Sequence, residues 1–288
     1  MSTRLRALVC VIGTALLATT SATAQGVDSV TVEQRVLMTP DLTPAEARRR
    51  AIDGALAEAV RRVAGVRVQS NALSTLSERD GAVGDGAIRG GYSSVVQLDA
   101  AARAVDYHVV REEWETLRPA GVPPQLYLRL RLTAVIEREV GIADVGFRVE
   151  LSLNATRFEA GTGRPADADE VIATIRTSQP AQLILFNIAD DSAQRLFPNE
   201  YQRTVRIGAD SPTELPDPEW RARGLRLRAT LPAERSNRQE LLMVIATRAE
   251  VPLPPTALSV LELQRWLVRI PLNKRAIALA PYEVHRTP

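Results

Sequence analysis

Two histidines, a cluster of three glutamates and a few loop acids are the residues of this 288-residue chain with the means to do chemistry. A histidine-based zinc site needs three or four ligands, and the metalloprotease pattern HExxH is absent. His108 and Glu112 stand four apart on a predicted strand, roughly 13 Å along its axis and too far to share one metal. His108 reads as a half-exposed sheet residue, and His285, near the carboxyl end, as a solvated one. Glu112, Glu113 and Glu115 beside Trp114 suggest the paired carboxylates of glycosidic cleavage. Successive strand residues point to opposite faces, so Glu112 and Glu113 converge only if the strand bulges. Gly91-Tyr92-Ser93-Ser94-Val95 lacks the last glycine of a nucleophile elbow. Arg89 replaces the third glycine that a dinucleotide loop would need after Gly84 and Gly86. Asp167, Asp169 and Glu170 lack calcium-loop spacing and read as solvated turn acids. These patterns predict no catalytic residue, no cofactor and no metal.

The first 24 residues read as an export signal. Arg4 and Arg6 precede an apolar run, Ala7–Ala18, which is short for a bilayer span. Ala22-Thr23-Ala24 then offers a small–x–small cleavage site before Gln25. Cys10, the only cysteine, lies inside that run, so the exported chain is expected to have neither a disulfide nor a thiolate metal site. Loss of Arg4 and Arg6 takes the formal charge from +2 to 0, so the pI near 9.0 does not signal nucleic-acid affinity. Lys274 is the one lysine among 36 basic residues, a bias of coding composition rather than of a binding surface. Aromatic residues, at 4%, are few for a surface that stacks bases or sugars. No later segment reads as transmembrane. The expected location is the periplasm or the exterior.

The densest apolar stretch beyond the signal is Leu183-Ile184-Leu185-Phe186 within Ala181–Asn199. Apolar residues of both parities predict a central strand covered on both faces. Asp190-Asp191-Ser192 supplies a turn, and Leu196-Phe197, stopped by Pro198-Asn199, completes a hairpin.

Residues 25–140 read as a strand–helix–strand–strand layer. Val30–Met38 is a strand. Thr43, Pro44 and Glu46 form a capping box for a helix with the stripe Ala47, Ala51, Ile52, Ala55, Leu56, Ala59, Val60 and Val63. Arg48-Arg49-Arg50 reads as a solvated run with Glu46 one turn from Arg50, and Gly65 as the helix stop. Val66–Val68 begins a strand, and Ser74–Ser94 is a glycine-rich loop. Val105–Leu117 and Leu126–Glu137 are paired strands. The second places Leu126, Leu128, Leu130, Leu132 and Ala134 inward, with Arg129, Arg131 and Thr133 outward. The segment TPAEARRRAIDGALAEAVRRVAGVRVQS, followed by two long strands, resembles the amino-terminal domain of the flagellar assembly T protein and related envelope proteins. The resemblance covers about residues 28–137 and implies a periplasmic assembly or scaffold role without catalysis.

Residues 141–288 read as a mostly-β domain with one late helix, after a linker at Gly141–Gly146. Strands are expected at Phe147–Ala155, Val171–Arg176, Ala181–Ile188, Thr204–Ile207, Leu225–Thr230, Leu241–Ala246 and Ala276–Val284. Pro212, Pro216 and Pro218 predict a surface loop. Ser259 and Glu262 cap a helix with apolar Val260, Leu263, Trp266, Leu267 and Ile270, ended by Pro271. Ile184–Asn187, Leu196-Phe197-Pro198-Asn199 and Leu242–Thr247 followed by Pro252 resemble the exported bacterial domain of unknown function 4384, which carries a Leu-Phe-Pro-Asn signature. The usual glycine of its hairpin turn is replaced here by Asp190-Asp191-Ser192.

The fold class expected is therefore α+β in two domains. The function expected is an exported, non-enzymatic protein that binds or scaffolds envelope proteins, through Arg129 and Arg131 or near Phe197, Pro198 and Asn199. The alternatives are a hydrolase of cell-wall or glycan material using Glu112 or His108, and a sensory domain for a small ligand.

Overall fold

The computed structural model describes residues 27–64, 102–118, 121, 123–161 and 167–286. The expected export signal, the expected helix stop at Gly65, the expected Val66–Val68 strand and the expected glycine-rich loop lie outside the described residues. The fold is α+β and mostly β. Among the described residues, no helix is long and apolar enough to cross a membrane.

The first module contains strand β1 (Val27–Leu37), helix α1 (Pro44–Ala64), strand β2 (Ala102–Leu117) and strand β3 (Gln125–Arg138). They form an antiparallel sheet in the order β1-β3-β2, with α1 on one face. The cap of α1 forms as its sequence requires. The Thr43 amide and hydroxyl donate to Glu46 Oε2 at 3.0 and 2.8 Å, and the Glu46 amide donates to Thr43 Oγ1 at 3.3 Å. The cap thus engages Glu46 in place of Arg50. Alanines at 47, 51, 55 and 59 let the helix lie close on Leu128, Leu130, Leu132, Ala134 and Ile136, all fully buried. Leu126, expected inward, is 42% exposed, and Trp114, its diagonal neighbour on β2, is 45% exposed. Both lie where the strands run on past the start of α1, so no helix covers them.

The second module holds strands β4 (Val149–Leu153), β5 (Arg157–Glu159), β6 (Ala173–Thr177), β7 (Ala181–Ala189), β8 (Ser192–Phe197), β9 (Arg206–Ile207) and β10 (Thr213–Leu215). Helix α2 (Pro218–Ala222), strands β11 (Asn237–Thr247) and β12 (Ala257–Ser259), helix α3 (Val260–Leu267) and strand β13 (Arg275–His285) follow. The large sheet runs β12-β8-β7-β11-β13-β5, with β9 added to the start of β7. β7 is central and covered on both faces. Leu183 and Leu185 pack with Phe158, Phe197, Leu242 and Val244 toward the small sheet β10-β6-β4. Ile184, Phe186 and Ile188 pack with Met243, Ile245, Leu263 and Leu267 toward α3. The capping box of α3 is complete: the Ser259 amide donates to Glu262 Oε2 at 2.7 Å, and the Glu262 amide to Ser259 Oγ at 3.2 Å.

Three expectations change. Leu225–Thr230 is not a strand; it makes one bridge, Arg228 to Glu170, because the neighbouring chain leaves at Ile172 to bond with Asn154. The proline-rich stretch is not simply a surface loop. Leu215 and Pro216 are buried, β10 pairs with β6 at a sheet edge, and Pro218 starts α2 beneath an Asp217 cap. His285 is partly buried rather than solvated, because it ends β13 between β11 and β5.

Gly141–Gly146 connects the modules but is pinned to the second: the Leu272 amide donates to the Val140 carbonyl, and Arg248 pairs with Asp144. Beside it, Glu139 pairs with both Arg103 of β2 and Arg275 of β13. Arg103 also donates to Gln264 Oε1 of α3 at 2.6 Å. Removing Glu139 would take from Arg275 the carboxylate that compensates its buried charge, and from Arg103 one of its partners. Glu139→Ala is therefore expected to cost about 3–5 kcal/mol in urea unfolding and to split one transition into two as the modules uncouple. Ser259→Ala should cost about 1 kcal/mol by the same measurement, with one transition retained.

Candidate functional site: a cleft between the modules

Along α1, Ala45, Arg48, Arg49, Ile52, Asp53 and Leu56 recur at helical spacing and form one side of a cleft. Tyr107 of β2, the turn residues Asp190 and Asp191, and Ser259, Val260 and Leu261 at the start of α3 form the rest. Its volume is about 330 Å³. The turn joins β7 to β8 with two residues, and Asp190 adopts φ 54°, a conformation that short polar side chains tolerate. The Val260 amide donates to the Asp191 carbonyl at 2.8 Å, which fixes the turn against α3. Tyr107 enters the cleft because β2 bulges between Ala104 and Asp106, a step that the alternation of side chains does not announce.

Charges in the cleft are partly matched. Arg49 lies 3.4 Å from Asp190, and Arg235 lies 3.1 Å from the same carboxylate. Arg48 turns outward to Glu112 at 2.8 Å. Burial pushes the Asp53 carboxyl up to about 6; Arg49 opposes the shift, and Asp191 and Asp190 reinforce it. The cleft can therefore enclose a small group, offer it carboxylates and exchange a proton on Asp53 near neutral pH.

The sequence-predicted site residues lie elsewhere. Arg129 and Arg131 are on the outer face of the first sheet. Arg129 is held by both oxygens of Glu33 at 2.8 and 2.9 Å, and this contact lowers the Glu33 carboxyl below its ordinary range. Arg131 is exposed beside them. Phe197 and Pro198 are buried, which removes them from any docking surface: Phe197 belongs to the core between the sheets. Asn199 shapes the corner that follows, its side-chain amide donating to the Leu196 carbonyl and its oxygen accepting from the amides of Tyr201 and Gln202. A second bulge in β2, between Val109 and Arg111, places exposed His108 beside Thr133 on the outer face and Glu112 beside Leu130 on the inner one. Glu112 and Glu113 face opposite sides, paired with Arg48 and Arg111. Asp169 accepts from the Glu159 amide at 2.7 Å, and Glu170 pairs with Arg226. Asn154 uses both ends of its side chain to tie the backbone at Glu170 and Ile172.

No protein-family model matches this chain, and comparison with curated proteins finds no significant relative.

Sequence reasoning missed the cleft. Its signals, the arginine run at 48–50 and the acidic pair at 190–191, read separately as a solvated face and a turn. A raised carboxyl favours the folded chain while it is protonated. That advantage is lost as pH rises from the unfolded value near 3.8 through about 6. Asp53→Asn should match the wild type near pH 4 and exceed it above pH 6 by on the order of 1–3 kcal/mol. Urea unfolding across pH 4–8 measures the gap, and a gap that does not widen with pH would contradict this account.

Proposed function

We propose that this is an exported, non-catalytic protein of the cell envelope that binds or scaffolds other envelope proteins. The observation that carries the reading is the outer face of the β1-β3-β2 sheet. Glu33, Arg35, His108, Arg111 and Arg131 are exposed on it, and it bears an ordered field of charge. Glu33 pairs with Arg129, Arg35 with Glu115 at 3.7 Å, and Arg111 with Glu113, with Arg131 exposed among them. Ion pairs between strands hold these side chains in place, so a partner meets a preset pattern, which favours specificity. The resemblances at residues 28–137 and at Leu196–Asn199, together with the export-type amino terminus, support an envelope setting.

A second reading, a small-ligand domain, is favoured by the cleft. The hydrolase alternative has less support: Glu112 is engaged by Arg48, and His108 lies on the opposite face of the sheet.

Capture from envelope extracts by immobilised protein tests the first reading. The wild type should retain a specific partner, and Arg131→Glu should weaken its retention at least ten-fold without changing the melting temperature. Repeated capture of no specific partner would sink the proposal.

A further inference from the structure

We propose that the segment joining the modules, Gly141–Gly146, is a membrane-docking loop that sets Ile142 and Val145 into an anionic bilayer surface. This goes beyond the scaffold reading and does not depend on it. Ile142 is 86% exposed and Val145 85%; the next large apolar residue, Tyr201, reaches 58%. Val140 beside them is 46% exposed. Single exposed apolar residues are ordinary on a protein surface, but three aliphatic ones within six positions mark a contact surface.

The loop is held in shape by its polar atoms. The Leu272 amide donates to the Val140 carbonyl at 2.8 Å, and Gly141 turns the chain at φ 88°, where a side chain would be strained. The amides of Gly146 and Phe147 donate to Asp144, and Arg248 pairs with the same residue. Arg148 donates to the Val145 carbonyl at 3.0 Å. Phe147 is buried beneath, with the Arg248 guanidinium 4.7 Å from its ring centre. The polar groups of the loop are thus engaged by the protein, while its aliphatic side chains stand clear. Docking a loop that is already ordered loses little conformational entropy.

Charge around the loop selects the occupant. Arg148, Arg269 and Lys274 are exposed and make no ion pair among the described residues. Arg148 bonds the loop itself, Lys274 ends the turn Leu272–Lys274 whose first amide holds Val140, and Arg269 lies three residues before it. The acids are mostly engaged: Asp144 by Arg248, Glu139 by its two arginines, while Glu150 faces Arg176 across β4 and β6. Glu250 is exposed two positions past Arg248, and the three free cations outnumber it. Basic residues beside exposed aliphatic ones suit anionic lipid. Protein hot spots favour Trp, Tyr and Arg set in matched pockets, and this loop offers projecting Ile and Val instead.

Co-sedimentation of the purified full chain with phosphatidylcholine vesicles, with and without about a third phosphatidylglycerol, tests the proposal. The wild type should bind the anionic vesicles at least ten-fold more tightly than the neutral ones. The double variant Ile142→Ser/Val145→Ser should weaken that binding at least ten-fold, and Lys274→Glu several-fold on anionic vesicles alone. These side chains are exposed, so the variants should melt with the wild type, and any loss of binding is not a loss of fold. All the chains share one amino terminus, so the apolar run Ala7–Ala18 cancels in the comparison. A polarity-sensitive fluorophore on Ile142→Cys, in a chain also carrying Cys10→Ser, should shift to the blue with anionic vesicles. The same label on Thr31→Cys, on the outer sheet face, should not shift. Equal binding by wild type and double variant, no preference for anionic vesicles, or no shift at position 142 would overturn the proposal. So would capture of an envelope protein that the double variant abolishes while vesicle binding is unchanged, which assigns the loop to a protein partner. Capture through Arg131 reads a different surface, so failure of one assay leaves the other standing.

Discussion

Glu139 sits between Arg103 and Arg275, and all three side chains are at most 2% exposed. Charges removed from water are tolerated only when they are paired, and this group pairs them by drawing on both modules, although Glu139 Oε2 and Gln264 Nε2 are buried without a hydrogen-bond partner. Arg103 comes from β2, Glu139 follows β3, Arg275 opens β13, and Gln264 of α3 accepts from Arg103. Arg275 also donates to the carbonyls of Leu267 and Ile270, closing the open end of α3. Burial, reinforced by Arg103 and opposed by Glu139, lowers the Arg275 guanidinium to about 10, which leaves it charged at neutral pH. An arrangement with so few tolerable geometries sets how α3 lies against β2. It therefore also sets how the β7–β8 turn meets α1.

The cleft is a consequence of that constraint. Helix α3 packs one face on the large sheet through Leu263 and Leu267, and Leu261 reaches the core of the first module. Arg265 donates to the Val105 carbonyl at the first bulge of β2 and pairs with Asp106 at 3.1 Å. A helix held from both sides leaves its first turn and the adjoining hairpin turn opposite α1, and the gap between them is where Asp53, Asp190 and Asp191 collect. The two capping boxes and the buried triad thus fix the walls of the gap in which these acidic residues gather.

The Leu-Phe-Pro-Asn stretch illustrates how a recognisable motif can be structural. Phe197 fills the space between the two sheets of the second module, and Asn199 closes the following corner with both ends of its side chain. Arg195 donates to the Pro198 carbonyl from the preceding strand. Each residue type serves a packing or backbone need, so a distinctive spelling here does not require a partner.

What the amino-acid order determined alone was local. The cap of α1 is specified by residues three apart, and the double-sided burial of β7 by apolar residues on both parities, because these patterns depend on repeats of helix and strand geometry. The inward run Leu128 to Ala134 was legible for the same reason, whereas the exposure of Leu126 depended on where α1 stops above the sheet. Bulges at Val105 and Val110 shift the register of β2 by one residue each, and no alternation of types marks them. Only the tertiary structure decided that Arg103, Glu139 and Arg275 share one buried site, and that Asp53 meets Asp190 and Asp191. Arg103 and Glu139 are 36 positions apart and Glu139 and Arg275 are 136 apart, and charge, unlike periodicity, carries no information about its distant partner until packing has chosen it.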